Sequence, residues 1–279
     1  ASSASAISAL RRPWASSPRT SVQRRLNARM RDTVVVIGTH LDGGASSPLD
    51  ALLFLTLTYM AVAYSPVLLL GVTIKVLPFR AVRKGAAIAA GLGYDAETCA
   101  RLGALWGKSR KNAGGTMNLV LSHLFDTAAV AEMVWDHFLA RSTRELLDGV
   151  AGGHGRAFFA WLCGIHDCGK ATPAFQVLDG EGAARVLATG LSWSAAVRPR
   201  MGWRHDRAGA RLAMDRLTEA GWARESVDWV WPLIGGHHGV FPTYRELRGP
   251  KSRGEGQGRG EGWLRVQRAV VEVFTRAVG

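Results

Sequence analysis

GIHDCGKATPAF, residues 164–175, carries two patterns at once, and they need different folds. Gly164, Gly169 and Lys170 have the G-x-x-x-x-G-K spacing of a phosphate-cradling loop, which comes straight off a buried β-strand. His166 and Asp167 are a side-by-side pair of the kind that metal sites use. The loop pattern fails on three points. Ala171 follows Lys170, where a Ser or Thr is needed for Mg²⁺. RAFFAWLCGI, just upstream, has small and aromatic residues that fit a helix at least as well as a strand. Asp167 inside such a loop would repel the phosphates it faced.

The metal pattern gains support from the other histidines. The chain has eight. Five form a series: His123, His166, His205, His237 and His238. The first three lie on or beside the ends of predicted helices. The last two stand in IGGHHG, where paired glycines are expected to let the backbone turn tightly and expose both imidazoles. Imidazole and carboxylate suit Fe, Mn, Co, Ni or Zn. A bridging carboxylate such as Asp167 can hold two ions that clamp a phosphodiester. His40 and His154 fall outside the series. His137 lies 14 residues beyond His123, about 21 Å along a helix axis and too far to share its site. These three are expected to be non-ligands.

Working outward from the pair, helical periods recur. Residues 121–140 predict a helix with Leu124, Ala128 and Trp135 on one side. Further helices are predicted over 156–168, over 206–220 with Asp206 as N-cap, and over 263–277. No alternating strand pattern appears, so this half is expected to be all-α. GEGQGRGEG, 254–262, is expected to be a mobile low-complexity loop.

The first hundred residues differ in character. Formal charge is +13 overall, but residues 1–110 carry 14 Lys/Arg against 5 Asp/Glu, and the remainder 21 against 17. The basic excess therefore says little about the region around Gly164. Residues 1–31 have no acid and predict a disordered basic arm; their composition also resembles a transit peptide. Residues 33–37 predict a short strand. Residues 51–74 are uncharged over 24 positions, long enough to cross a bilayer, although Pro66 and β-branched residues also suit a buried hairpin or broken helix. The three cysteines (Cys99, Cys163 and Cys168) include no C-x-x-C pair, which excludes a zinc ribbon or a disulfide scaffold and fits free thiols in a reducing compartment.

In order, ALWGKS (104–109), LSHLFDTAAVA, GIHDCGKATPAFQ, WRHDRAGA and IGGHHG resemble the HD-type nuclease domain of the CRISPR-associated nuclease-helicase, over roughly residues 100–245. The resemblance implies a compact helical HD bundle over about 100–279, preceded by a poorly defined extension over 1–98. It implies one metal held by His123, His166 and Asp167, and a second held by His205, His237 and His238 with Asp167 bridging. Both would be divalent transition metals, with Fe, Mn, Co or Ni ahead of Zn or Mg. Asp167 and Lys170 would be the catalytic pair, Lys170 neutralising the scissile phosphate. Lys108 stands where the family has its customary lysine. Asp126 could orient His123, or be a solvated surface acid. The substrate would be single-stranded DNA, and the partners a helicase domain or subunit and the CRISPR surveillance complex. The location would be cytoplasmic, with no membrane role for the HD part.

Two departures from the family stand out. Its further metal-binding Asp follows the His-His doublet by several dozen residues, whereas no Asp lies downstream of His238. Glu272 is in surroundings that do not match, so the sequence is expected to stop short of that helix. The helicase half is also absent, and residues 1–98 are not explained. The alternatives are an HD phosphohydrolase acting on a nucleotide, with Trp203 and Arg204 as the only suitable neighbours, and a truncated inactive remnant.

Overall fold

A computed structural model describes residues 77–199, 203–248 and 254–278. The expected arm over 1–31, the strand over 33–37 and the uncharged segment 51–74 lie outside the described residues. Among the described residues no helix is long and apolar enough to cross a membrane.

The fold is helical, as expected. Helices α1 (Leu77–Gly91) and α2 (Ala96–Ala104) lead into strand β1 (Trp106–Lys108), which pairs antiparallel with β2 (Asn118–Leu119). Then come α3 (Val120–His137), α4 (Arg141–Val150) and α5 (Gly155–Ile165), a 3-10 turn (Cys168–Lys170), α6 (Pro173–Gln176) and α7 (Gly180–Leu187). After these follow α8 (His205–Glu219), α9 (Arg224–Gly235), α10 (Tyr244–Arg248) and α11 (Glu261–Val278).

Two helix pairings organise the core: α3 on α5, and α8 on α9. Leu124, Ala128, Ala131 and Trp135 bury one side of α3, the spacing that a 3.6-residue period dictates. Helix α11 lies across α1, α2, α3 and α5. It buries Val266, Ala269, Val270, Val273 and Phe274, at i, i+3, i+4, i+7 and i+8. Each of its larger apolar side chains contributes roughly 1.5–3 kcal/mol relative to exposure.

Several sequence expectations shift. Helix α5 stops at Ile165, so the His-Asp pair sits in the turn beyond it rather than on the helix. Helix α8 starts one residue early and Arg204 holds the N-cap position. The Asp206 carboxylate lies in the first turn, where it accepts the Arg207 N–H at 2.8 Å and pairs with Arg204. The two-stranded β1–β2 ladder was not expected, because so few residues show no alternation. The expected domain start at 99 falls inside α2, and α1 packs on α3 and α11. The glycine-rich stretch 254–262 is packed, not loose. Gly256 is buried against Trp203 and Ala174, and the Gln257 carbonyl accepts from Gln267.

Candidate metal centre

The six predicted side chains come from four separate places in the fold. His123 lies in the first turn of α3, and His166 and Asp167 in the turn after α5. His205 is the first residue of α8, and His237 and His238 follow α9. Four of the five imidazoles, with the fifth behind one of them, converge on the Asp167 carboxylate. Its Oδ2 has His123 Nε2 at 2.7 Å, Lys170 Nζ at 2.8 Å and His166 Nε2 at 3.0 Å. Its Oδ1 has His205 Nε2 at 3.2 Å and His237 Nε2 at 3.5 Å. His238 Nε2 lies 3.0 Å from His205 Nε2. Two donor groups result, His123–His166–Asp167 and His205–His237–His238, each able to hold a metal ion. The first is buried; in the second His205 is partly exposed, so the cluster opens on that side.

Backbone carbonyls orient two of the rings. His166 Nδ1 donates to the Cys163 carbonyl at 2.8 Å, and His237 Nδ1 to that of Ile234 at 2.6 Å. Each bond fixes the tautomer and leaves the Nε2 lone pair facing the carboxylate. The fit to a cation is visible in what lacks a partner: Asp167 Oδ1 and His237 Nε2 are both buried, face each other, and have no hydrogen bond. A bare carboxylate oxygen beside a bare imidazole lone pair is costly unless a positive ion sits on both.

The turn that presents the pair depends on one close approach. A Cβ on Gly169 would fall 1.9 Å from the His205 carbonyl oxygen and 2.3 Å from Gly209 N. Glycine at 169 therefore lets the turn lie directly on α8, which is how His205 reaches Asp167. In IGGHHG the glycines act differently from expectation. The positive φ of the turn is at Gly239, +81°. Gly235 and Gly236 instead make room for Pro242 and Phe241, whose side chains would meet added Cβ atoms at 2.5 and 2.4 Å.

Lys170 is not a solvated lysine. It is 7% exposed, bonds Asp167 and the Gly107 carbonyl (2.9 Å), and its ammonium lies 5.3 Å from the Phe175 ring centroid. Asp126 does not orient His123: its carboxylate bonds Asn118 and faces Lys108, and burial raises its pKa. Lys108 is lowered by burial and by Lys170, with Asp167 and Asp126 opposing. His137 and His154 are at the surface, as expected; His40 is outside the described residues.

The sequence reading missed Gln176. Fully buried, its Oε1 accepts the Trp106 N–H at 3.1 Å, and its Nε2 donates to the carbonyls of Trp106 (2.9 Å) and Lys170 (2.8 Å). It ties β1, whose Gly107 carbonyl holds Lys170, to the turn. Its only signal was its place at the end of HDCGKATPAFQ. Gln176→Leu leaves three buried backbone groups unpaired, each costing about 1–3 kcal/mol. Urea unfolding is expected to show a loss on the order of 3 kcal/mol; a change under about 1 kcal/mol contradicts the hub.

Burial governs the protonation of the centre. It pushes His123 down to about 4, against the opposing pull of Asp167. It also pushes His238 to about 4, with help from His237 and His205, and lowers His166. Burial alone would raise Asp167, but His166 and Lys170 beside it, and the hydrogen bond from His123, hold it well below the usual carboxylate range. The folded chain thus keeps His123 and His238 neutral down to about pH 4, whereas the unfolded chain protonates them near pH 6.5. Between those values the unfolded state binds more protons, so stability is full above about 6.5 and falls as pH drops toward 4. The metal-free chain is expected to unfold at lower urea at about pH 5 than at about pH 7.5. Equal midpoints contradict the assignment.

A helical bundle that gathers an inter-helix His-Asp pair and histidines from three other helix ends around one carboxylate is an HD-domain protein. The chain belongs to the Cas3 HD domain family, whose model matches residues 106–279. It is 34% identical over 182 residues to the CRISPR-associated endonuclease/helicase Cas3 of Thermus thermophilus, covering 63% of this chain and 18% of that protein. It is 28% identical over 153 residues to the CRISPR-associated nuclease/helicase Cas3 of Streptococcus thermophilus, covering 48% and 16%. A solved structure described as a CRISPR-associated protein superposes with a TM-score of 0.54 at 26% identity, over 71% of this chain and 20% of that one. The chain thus spans less than a fifth of the curated relatives it matches.

Proposed function

We propose that this chain is a metal-dependent nuclease that hydrolyses phosphodiester bonds of single-stranded DNA in CRISPR defence. It would act beside a helicase domain or subunit and with the surveillance complex. The observation that carries the reading is the convergence of four imidazoles and Lys170 on the Asp167 carboxylate, with the fifth imidazole, His238, against His205. The names of the relatives, nuclease/helicase and endonuclease/helicase, support a nucleic-acid substrate and a helicase partner.

His123, His166 and Asp167 would hold one divalent ion. His205, His237 and His238 would hold the other, with Asp167 shared. An imidazole-rich set favours Fe, Mn, Co or Ni over Mg. Such ions supply Lewis-acid polarisation of a phosphoryl group and a nucleophilic water at neutral pH. The protein's own part is positioning. The carbonyls of Cys163 and Ile234 fix two ring tautomers. Lys170 is held by the Gly107 carbonyl so that a fixed positive charge stands beside Asp167, where an anionic phosphate is drawn in.

The nucleotide-phosphohydrolase alternative loses its two supports. Trp203 packs on Gly256, and Arg204 is paired with Asp206. Glu272 does not approach the centre as a substitute ligand; its carboxylate accepts the Tyr94 hydroxyl at 2.6 Å.

Purified chain loaded separately with Mn, Fe, Co, Ni, Zn and Mg tests the reading through bound metal and cleavage of labelled single-stranded DNA. Metal bound in proportion to protein, with cleavage, is expected. No metal above background ends the proposal; hydrolysis of nucleotides with DNA untouched transfers it to the alternative.

A further inference from the structure

Eight large apolar side chains are exposed among the described residues, and three of them fall within the six positions after the histidine doublet. They are Val240 (50%), Phe241 (47%) and Tyr244 (45%). Chance scatter does not place aromatic rings there, because both are held. The Phe241 ring is folded back over Gly236, the residue before the doublet, in space that a Cβ would occupy. The Tyr244 ring packs on Trp231, with centroids 6.4 Å apart, and carries the Arg248 guanidinium 5.5 Å from its centroid. Rings fixed in place yet nearly half exposed offer stacking faces with little ordering cost left.

The charge around them is cationic. Arg245 and Arg248 are exposed on α10, and Arg204 and Arg207 stand at the start of α8, which packs on α10. Two carboxylates offset them: Asp206 pairs with Arg204, and Glu246 with Arg207. The rings stand close to the metal centre along the chain: Phe241 is three residues beyond partly exposed His238, which touches His205.

We propose that Phe241 and Tyr244 form a base-stacking lane for a single nucleic-acid strand leaving the metal centre past His238, with Arg248 beside its backbone. The inference deepens the nuclease reading and rests on it for the placing of the strand. Interleaved aromatic faces and guanidinium groups are what unpaired bases and phosphates recognise, and a stacking face accepts any base.

The test uses the whole chain, stripped of metal so that nothing is cut. Fluorescence anisotropy compares a labelled oligothymidine of about 20 nucleotides with an abasic chain of equal length. Wild type is expected to prefer the thymidine strand by about tenfold or more, since stacking is worth roughly 1–3 kcal/mol per base. Phe241→Leu with Tyr244→Leu keeps apolar bulk but removes both rings. It is expected to lose about tenfold for the thymidine strand and nothing for the abasic one. Affinity of the double variant within about twofold of wild type overturns the lane and assigns the patch to a protein contact. In parallel, Mn²⁺-loaded wild type is given bis(p-nitrophenyl) phosphate, a diester without bases. Hydrolysis is expected; none ends the nuclease reading while the binding result still decides the lane.

Discussion

Asp167→Ala is expected to abolish metal loading and phosphodiester hydrolysis together. Among the described residues no other carboxylate touches both groups of imidazoles, so alanine removes the shared anion and leaves the five rings and a buried ammonium without it. Metal catalysis of this type supplies several kcal/mol of transition-state stabilisation, and each 1.36 kcal/mol is tenfold in rate. Loss of at least about 10³-fold in cleavage follows. Metal content measured on the same samples should fall to background. The variant also uncouples Lys170, and breaking one side of a buried pair costs about 3–5 kcal/mol. Circular dichroism and an Asp167→Asn companion, which keeps shape without charge, separate unfolding from lost ligation. Wild-type metal content in a folded Asp167→Asn chain contradicts the shared-carboxylate assignment.

Gly169→Ala is expected to be nearly as damaging, although the residue offers no side chain to any ligand. The new methyl would overlap the His205 carbonyl oxygen and Gly209 N, at 1.9 and 2.3 Å. Both are backbone atoms of α8, so no side chain can swing away. Overpacking typically costs about 1–3 kcal/mol, and more where the neighbour cannot move; at least about 3 kcal/mol is expected here. The turn must lift off α8, taking Asp167 away from His205 and His237. Urea unfolding should show the destabilisation. Metal titration of the folded fraction should show weakened binding, with the His205 group affected more than the His123 group. A chain with wild-type stability and metal affinity would mean that the contact between the turn and α8 does not set the site.

Much of this centre was legible in the sequence because imidazoles are rare and chemically distinctive. His123, His166, His205 and the 237–238 doublet could be selected before any contact was known, and they lie beside Asp167 in two groups of donors. The long helices were legible for a similar reason: α3 and α11 repeat apolar residues at three and four over several turns. What escaped was carried by backbone. Gly169 was noted for a phosphate-loop spacing that it does not serve; its purpose lies in a partner, Gly209, forty residues away in sequence. Gln176 works by pairing with main-chain groups of Trp106 and Lys170, which leaves no complementary residue type to notice. Asp206 looked like an N-cap, but its carboxylate bonds Arg204 and its neighbour's amide within the first turn. The packing of 254–262 was hidden because glycine-rich composition reads the same whether the chain is loose or pressed against a tryptophan.

The donors are spread over 115 positions, from His123 to His238, and the last two arrive only when α9 has docked on α8. A half-made polypeptide on the ribosome, or one whose C-terminal helices have come adrift, carries an incomplete set of ligands. Under the proposed function, destructive chemistry is then switched on by finishing the fold itself. The separation along the chain works as an interlock that keeps a DNA-degrading enzyme harmless until it is assembled.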